Sequence, residues 1–242
     1  MTQRRALSWL IVLGTVLAAS PGWCDSPPYD TSDASIATRP ELTAMVGLSH
    51  DEPGRFANLV LEFSVPLNPR AELDITPSLA SAQRDGARHA GLGDTEVSVR
   101  VLAFDESGAR PALAVEPSVV LPTGRRHNGL GEGLVQEAIS LIASKGGLGP
   151  YRATVQVGYA HAGEDDLAPV SLLIERSIGA RWRLGAEAAS EQPLRRRCAR
   201  RSQVDFGAAF EVRDGLTLHA VVGRNLDGDH AAFGRLALTV EL

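Results

Sequence analysis

The stretch from Ala112 to Ala162, "ALAVEPSVVLPTGRRHNGLGEGLVQEAISLIASKGGLGPYRATVQVGYAHA", alternates apolar and polar residues, stops at a glycine-rich segment and then alternates again. The glycines of "GLGEG" stand at positions 129, 131 and 133, which is not the G-x-G-x-x-G spacing of a dinucleotide-binding loop. The residues that follow lead to another strand-like run rather than to the crossover helix of a βαβ unit. We therefore interpret the glycines as bends in a long hairpin loop between two β-strands.

The same alternation recurs along the chain from about residue 41 onward. In "QVDFGAAFEVR" (203–213), apolar side chains occupy every second position, and polar or small side chains occupy the positions between them. This period of two is typical of a strand with one apolar face, and signals for amphipathic helices are nearly absent. Segments of roughly 9 to 12 residues, separated by turn residues, add up to about twelve strands.

The connections between these segments alternate in length. Short turns such as "LNPR" (67–70) and "DG" (214–215) take turns with longer polar loops. The longer loops are predicted near residues 50–56, 81–93, 122–132, 162–168, 191–202 and 226–230. An even number of strands with short turns at one end and longer loops at the other is typical of outer-membrane barrels. The sequence therefore predicts an all-β fold, an antiparallel transmembrane β-barrel of about 12 strands, with both termini and the short turns periplasmic and the longer loops outside.

The polar face of the predicted strands carries many charged side chains, which would make a poor dry core but suit a wet or ion-paired lumen. We predict that the following residues face the lumen: Glu62, Glu72, Asp74, Glu96, Arg100, Glu116, Glu175, Arg181, Arg183, Glu187, Asp205, Glu211, Arg213 and Arg235. A soluble β-sandwich, in which the apolar faces meet each other, is the alternative fold. Aromatic residues are only 5% of the chain, so the aromatic girdles of a membrane barrel would be sparse.

Three regions are predicted along the chain: a signal peptide at 1–24, a polar N-terminal arm at 25–40 and a barrel domain at 41–242. Arg4 and Arg5 precede an apolar run that is too short to span a membrane as a helix and is typical of an export signal. The arm, "DSPPYDTSDASIATRP", is polar and contains prolines, so we predict that it is disordered. Export and a barrel together predict the outer membrane as the location. The net charge of −5 gives no footprint for nucleic acid.

Two stretches resemble a known family of outer-membrane proteins. "GLGDTEVSVRVLAFDESGARPALAVEPSVVLPTGRRHNGLGEG" and "LIASKGGLGPYRATVQVGYAH" are similar to the MetA-pathway of phenol degradation family. The shared features between Gly91 and Ala162 are a Gly-Asp-Thr strand start, Pro-Ala-Leu-Ala-Val, Leu-Pro-Thr-Gly, a Gly-Leu-Gly-x-Gly loop and a Leu-Gly-Pro-Tyr turn. The resemblance implies a β-barrel in the outer membrane and a role in passing small hydrophobic or aromatic compounds, and it implies no catalytic step.

No catalytic, cofactor-binding or metal-binding residue is predicted. The six histidines are scattered along the chain: His50, His89, His127, His161, His219 and His230. Four of them lie in or at the edge of predicted outer loops, where a solvated histidine is the favoured interpretation. "NLDGDH" (225–230) has calcium-loop spacing but lacks the glycine and the twelfth-position glutamate of such a loop, so a polar hairpin loop is favoured. A membrane-embedded hydrolase needs a histidine and a serine on one face, and no serine motif accompanies His161 or His219.

An arginine-rich segment, "PLRRRCARR", lies in one of the longer predicted loops. Its basic residues are Arg195, Arg196, Arg197, Arg200 and Arg201. A solvated loop is the simpler interpretation, and the sharper hypothesis is that these guanidinium groups contact the phosphates of surface lipopolysaccharide. Outer-membrane lipid and a small-molecule solute are the other predicted partners.

The function that the sequence favours is passive transport of small compounds across the outer membrane. Barrels of about 8 strands are filled by side chains and those of about 16 to 18 hold a water channel, so twelve strands predict a narrow or partly plugged lumen. The alternative is a closed barrel with a structural or surface-interaction role, and a membrane-embedded hydrolase is less favoured. A continuous wet path through the lumen would favour transport, and a column of paired charges would favour the closed barrel.

Overall fold

The computed structural model describes residues 29–51, 54–84, 87–163, 165–194, 200–228 and 230–242. The predicted signal peptide at 1–24 lies outside these residues. The strands, in chain order, are β1 (Glu41–Asp51), β2 (Gly54–Asn68), β3 (Ala71–Arg84), β4 (Ala87–Phe104), β5 (Ala112–Leu121), β6 (Gln136–Leu148), β7 (Tyr151–Ala162), β8 (Asp165–Ile178), β9 (Trp182–Pro193), β10 (Arg201–Arg213), β11 (Leu216–Asn225) and β12 (Ala232–Glu241). A single turn of 3-10 helix covers Arg126–Asn128. Within the described ranges, no helix is long and apolar enough to cross a membrane.

The strands form one closed barrel in which each strand pairs with its neighbours in sequence. The barrel closes where β1 pairs antiparallel with β12, in a register that runs from Glu41 opposite Glu241 to Ser49 opposite Phe233. Closure gives each of the twelve described strands a hydrogen-bonded neighbour on both sides, so the sheet has no free edge strand. The prediction of a twelve-stranded antiparallel barrel is therefore confirmed, and the β-sandwich alternative is wrong.

The two faces of the barrel wall are opposite in character. Large apolar side chains stand exposed on the outside, among them Leu172 at 42%, Leu236 at 57% and Phe206 at 64% of their surface. Polar and charged side chains are buried on the inside, and Asp205, next in sequence to Phe206, is fully buried. Monomeric soluble proteins rarely expose a continuous apolar surface of this kind, whereas a barrel in a lipid bilayer requires one.

The barrel has two ends, which differ in their connections. The terminal end is the one at which β1 begins and β12 finishes, and the loop end is the opposite one. At the loop end, three of the predicted long loops are wrong: the strands continue through most of 50–56, 81–93 and 162–168. The physical reason is that backbone hydrogen bonds between strands do not depend on side-chain polarity, so pairing continues past the point where the apolar alternation stops. The longer connections that remain at this end are residues 122–135, 194–200 and 226–231.

The exposed apolar band predicts that a charged residue on the outer face destabilises the barrel most at the middle of the bilayer and least near its interfaces. Leu172 lies at the middle of β8 and Ile178 at its end, and both are exposed, at 42% and 45%. We expect Leu172→Arg to lower the free energy of unfolding by about 2–4 kcal/mol and Ile178→Arg by about 0–1 kcal/mol, because the arginine at the end of the strand reaches the membrane interface. Urea unfolding of the protein in phospholipid vesicles measures both values, and equal losses at the two depths would contradict this placement of the band.

Candidate functional site

The lumen of the barrel is occupied by a segment of the chain itself. The described part of the predicted arm, residues 29–40, precedes β1 and is called the N-terminal arm from here on. Its residues 29–37 lie among the inward-facing side chains, and residues 38–40 are exposed. Tyr29 is 4% exposed and Ala34 is fully buried. Ala34 packs against Ala112 and Ala114 of β5 and Ile142 of β6. The prediction that this part of the chain is disordered is therefore wrong for residues 29–40.

The arm is ordered because the wall supplies hydrogen-bond partners for its backbone. Four N–H groups of the arm donate to side-chain oxygens of four different strands. The pairs are Asp30 with Glu187 at 2.9 Å, Ser32 with Gln156 at 2.8 Å, Ala34 with Ser144 at 3.0 Å, and Ala37 with Glu72 at 2.5 Å. A buried backbone N–H without a partner is costly, so these contacts allow an extended segment without secondary structure to stay inside the barrel.

Ion pairs hold the arm at three further points. Arg235 of β12 donates two hydrogen bonds to the carboxylate of Asp30, one of them at 2.8 Å. Arg152 of β7 lies 2.8 Å from the carboxylate of Asp33. At the terminal end, Arg39 lies 3.3 Å from Glu241, and this pair is largely exposed. The two inner pairs involve partly buried groups, so they are less screened than the exposed one.

Tyr29 occupies a notch formed by two glycines. Gly185 of β9 and Gly207 of β10 are direct cross-strand partners. A Cβ atom at either position would lie 2.3 Å or 2.7 Å, respectively, from the hydroxyl oxygen of Tyr29. These distances are too short for any side chain, so the two glycines make the space that the tyrosine ring fills.

A cluster of charges on β3, β4 and β5 forms a second polar centre in the lumen. Its centre is Arg100, whose guanidinium group lies 3.0 Å from Glu72, 2.5 Å from Glu116 and 4.0 Å from Asp74. All four side chains are less than a tenth exposed. Charges buried to this degree are tolerated only when they are paired, and here one arginine serves three carboxylates from two neighbouring strands.

The structure places the other predicted lumen residues as follows. Glu96, Glu187 and Asp205 are buried, Glu62 is half-buried, and Glu175 lies 2.8 Å from Arg183. Glu211 is half-buried near the end of β10, and Arg213 is exposed where that strand ends. Arg181 does not face the lumen: it lies exposed in the turn between β8 and β9, because β9 begins only at Trp182.

A cavity of about 400 Å³ remains beside the arm. It opens among residues of the terminal end such as Glu41 and Glu241, and it reaches Glu62 and His219 in the barrel wall. The Nε2 atom of His219 lies 3.1 Å from the hydroxyl of Thr239. His161 of β7 contacts Asp166 at 3.0 Å. Within the described residues, neither histidine is hydrogen-bonded to a serine.

The glycine-rich loop between β5 and β6 folds back onto β4 at the loop end. The carboxylate of Asp94 accepts hydrogen bonds from the backbone N–H groups of Gly124, at 2.9 Å, and Glu132, at 2.8 Å. Leu130, in the same loop, is 4% exposed and contacts Gly91 and Gly93. The loop therefore does bind an anion through its backbone, but the anion is a carboxylate of the chain rather than a phosphate.

The arginine-rich segment is only partly described. Arg195, Arg196, Arg197 and Cys198 lie outside the described residues. Arg200 lies 3.4 Å from Asp227 in the connection between β11 and β12. Hydrogen bonds from Ser202 and Arg200 lower the pKa of Asp227. Arg201 begins β10 and is exposed.

A charged contact ties a connection to the end of a strand at the terminal end. Lys145 lies 2.5 Å from Glu106, which also accepts a hydrogen bond from the backbone N–H of Gly146. The hydrogen bond from Lys145 has the larger effect, and both bonds lower the pKa of Glu106. The contact joins the connection between β4 and β5 to the end of β6.

Solved structures with the same fold are outer-membrane barrels. A COG4313 outer membrane channel from Pseudomonas putida F1 superposes with a TM-score of 0.68 at 13% identity, covering 88% of this chain and 100% of that one. The NanC porin has a TM-score of 0.61 at 8% identity, covering 83% and 100%. The KdgM porin has a TM-score of 0.60 at 8% identity, covering 84% and 99%. At these identities the likeness concerns the fold.

The sequence itself matches one family model. No curated protein is significantly similar in sequence. The family described as "Putative MetA-pathway of phenol degradation" matches residues 28–235, a span that includes the N-terminal arm and reaches into β12. Because this match covers most of the chain, the protein belongs to the MetA-pathway of phenol degradation family.

Proposed function

We propose that the protein is a passive outer-membrane channel for small compounds, whose lumen the N-terminal arm narrows. One observation carries this proposal: the space inside the barrel is filled by a separate segment of the chain and not by the wall alone. A lumen filled by side chains of its own strands has no means of opening. A lumen filled by a segment held through hydrogen bonds and ion pairs widens when that segment moves.

The exposed apolar band and the polar interior support a location in the outer membrane. Two porins and an outer membrane channel are among the solved structures with a similar fold. In this proposal the predicted signal peptide directs export, the terminal end faces the periplasm, and the loop end faces outward. The arm then enters the lumen from the periplasmic side, because it precedes the first residue of β1.

The charge of the lumen supports a preference among solutes. The buried wall carboxylates outnumber the arginines that face them, and Arg100 alone is shared by three carboxylates. An acidic lumen favours cations and neutral polar compounds over anions. The family description adds phenolic compounds as candidates, since a phenol hydroxyl can donate to a carboxylate while the small ring passes a narrow lumen.

A closed barrel with a structural role is the second candidate function. The observation that favours it is the set of paired charges around Arg100 together with the polar contacts of the arm. Both candidates predict a stable barrel in the membrane, and they differ in whether ions pass through it. Conductance therefore decides between them.

Removing the arm should widen the channel. We expect a variant without residues 29–38 to show a single-channel conductance several times that of the full chain in a planar bilayer, because the segment fills much of the lumen. A shift of the band on a gel after boiling verifies that each barrel is folded before the recording. Folded barrels that conduct neither with nor without the arm, and that take up no solute in vesicles, would exclude the channel function.

A covalent lock provides the opposite test. The backbone nitrogen of Ala34 lies 3.0 Å from the hydroxyl oxygen of Ser144, so the two residues are in direct contact, and we expect cysteines at these positions to form a disulfide. In a Cys198→Ser background, the oxidised Ala34→Cys, Ser144→Cys protein should conduct less than after reduction by dithiothreitol. Each single-cysteine variant serves as the control, because reduction should leave its conductance unchanged.

Ion selectivity should depend on the carboxylates beside the cavity. Glu62 lines the cavity and accepts a long hydrogen bond, of 3.4 Å, from the hydroxyl of Ser64. A unit negative charge about 8 Å away stabilises a cation and destabilises an anion by roughly 0.5 kcal/mol each in a water-like dielectric, so Glu62→Gln should lower the cation-to-anion permeability ratio about fivefold. Reversal potentials in a salt gradient measure the ratio. Glu137→Gln, the same change at an exposed end of β6, should leave it unchanged.

Lipopolysaccharide remains the proposed partner of the arginine-rich segment. The exposed Arg201 and the exposed side chain of Arg200 at the loop end support this contact. Replacing Arg195, Arg196, Arg197, Arg200 and Arg201 with glutamine should weaken binding of the folded barrel to lipopolysaccharide and leave its conductance unchanged. Unchanged binding in a pull-down with lipopolysaccharide would exclude the contact.

A further inference from the structure

Three carboxylates meet where the arm touches β9 and β10. Asp30 comes from the arm, Glu187 from β9 and Asp205 from β10, and one oxygen of each lies within 4.8 Å of the other two. We call these residues the three-carboxylate cluster. Glu187 and Asp205 are direct cross-strand partners on the inner face. Like charges opposite each other in a sheet repel, so this pairing needs a compensating group.

Hydrogen bonds satisfy two of the three carboxylates. Asp30 accepts from Arg235 and from the side-chain amide of Gln203. Glu187 accepts from the hydroxyl of Thr31 and from the backbone N–H of Asp30.

Asp205 differs from both of its neighbours. It is completely buried, and within the described residues neither of its carboxylate oxygens has a hydrogen-bond partner. One oxygen of Asp205 nevertheless lies within 4.8 Å of an oxygen of Asp30 and of Glu187. A buried carboxylate with two unsatisfied oxygens is among the most costly groups in a protein interior, unless a cation or a proton completes it.

The local charge indicates which cation would fit. Three carboxylates face one guanidinium group, that of Arg235, which is already bonded to Asp30. The formal charge of the cluster with Arg235 is therefore −2, and a divalent cation would neutralise it. Asp30 Oδ2 accepts two hydrogen bonds, but Asp30 Oδ1 accepts one from Arg235, and each oxygen of Glu187 accepts one from the arm, so these oxygens keep a lone pair for a metal.

The donor atoms and their spread point to calcium. All the ligands are oxygens, which suit a hard cation, and Ca²⁺ accepts a flexible sphere of about 6 to 8 oxygens at about 2.3–2.6 Å. Oxygens drawn from three separate segments suit the flexible coordination sphere of Ca²⁺, whereas Mg²⁺ demands a near-ideal octahedron at about 2.0–2.1 Å. The hydroxyls of Thr31 and Ser171, which are bonded to each other at 2.7 Å, lie next to Glu187 and add neutral oxygens.

We propose that Asp30, Glu187 and Asp205 bind one Ca²⁺ ion that fastens the N-terminal arm to the barrel wall. The ion takes one ligand from the arm and two from neighbouring strands, so it crosslinks segments that are 157 residues apart in the chain. Tyr29, in the glycine notch directly before Asp30, orients the arm toward the cluster. Calcium removal then frees the start of the arm, while the contacts of Ala34 and Ala37 remain.

Calcium binding is measured on the full-length mature protein, refolded in detergent without lipopolysaccharide so that no other calcium binder is present. Isothermal titration of the folded barrel with CaCl₂ should give one site per chain. Tb³⁺ should occupy the same site, and its luminescence should be excited through the neighbouring Tyr29 and displaced by Ca²⁺. Since binding is measured whether or not the barrel conducts, its failure is distinguishable from failure of the proposed channel.

Substitutions identify the site. Asp205→Asn should weaken Ca²⁺ binding at least about tenfold, as the loss of a group that holds a metal does. Asp30→Asn should do the same, and it lies in the arm, so it leaves the strands untouched if Asp205→Asn does not fold. Asp74→Asn is the matched control, because Asp74 is also a buried wall carboxylate but belongs to the Arg100 cluster. Its Ca²⁺ affinity should equal that of the unchanged protein.

Two results would overturn the proposal. The first is the absence of saturable Ca²⁺ binding to the folded, unchanged protein, together with an unfolding temperature that is the same in CaCl₂ and in EGTA. In that case Asp205 shares a proton with Glu187 instead. The second is equal affinity in Asp30→Asn, Asp205→Asn and Asp74→Asn, which would place any bound calcium elsewhere on the molecule.

Discussion

The pairing of β1 with β12 is the constraint on which the rest of the structure depends. In a lipid bilayer no water is present to satisfy backbone N–H and C=O groups, so a sheet that spans it must close on itself. Once the sheet is closed, each side chain points either to lipid or to the lumen. Apolar residues such as Leu236 and Leu238 of β12 then stand outside, and Arg235 and Thr239 of the same strand stand inside.

An inward face that is polar has a consequence for what can fill the barrel. A soluble barrel packs apolar side chains at its centre, but the carboxylates and hydroxyls of this wall need hydrogen-bond partners. The arm is suited to that role because its backbone is not paired in a helix or sheet. Its backbone groups and its Asp, Ser and Thr side chains are therefore available to donate and accept hydrogen bonds. Small wall residues make the necessary space, as Gly185 and Gly207 do for Tyr29. The lumen is thus packed through polar contacts, where most protein interiors are packed through apolar ones.

Strand number, closure and the assignment of faces were predictable from the sequence, because a period of two has one physical meaning in a chain without helix signals. The prediction that Arg181 faces the lumen was wrong because the apolar-polar alternation of the sequence continues into a turn, where the backbone is no longer extended and the alternation no longer assigns a face. The order of the arm was not predictable from its composition. The groups that order it, such as Glu187 and Gln156, stand more than 100 positions away in the chain. The same applies to Asp94, whose contacts with the glycine-rich loop depend on how β4 extends beyond β5.

The arm is continuous with β1, and this sets how it can move. Twelve residues, from Tyr29 to Pro40, stand before the first strand, and fully extended they span at most about 40 Å. A segment tethered in this way never diffuses away from the barrel. Its effective concentration at the lumen is in the millimolar range that is typical of short flexible linkers. Its return to the wall is therefore an intramolecular event whose rate does not depend on how much protein the membrane contains. Occupancy of the lumen is set by the balance of local contacts, and every copy of the protein carries its own occupant.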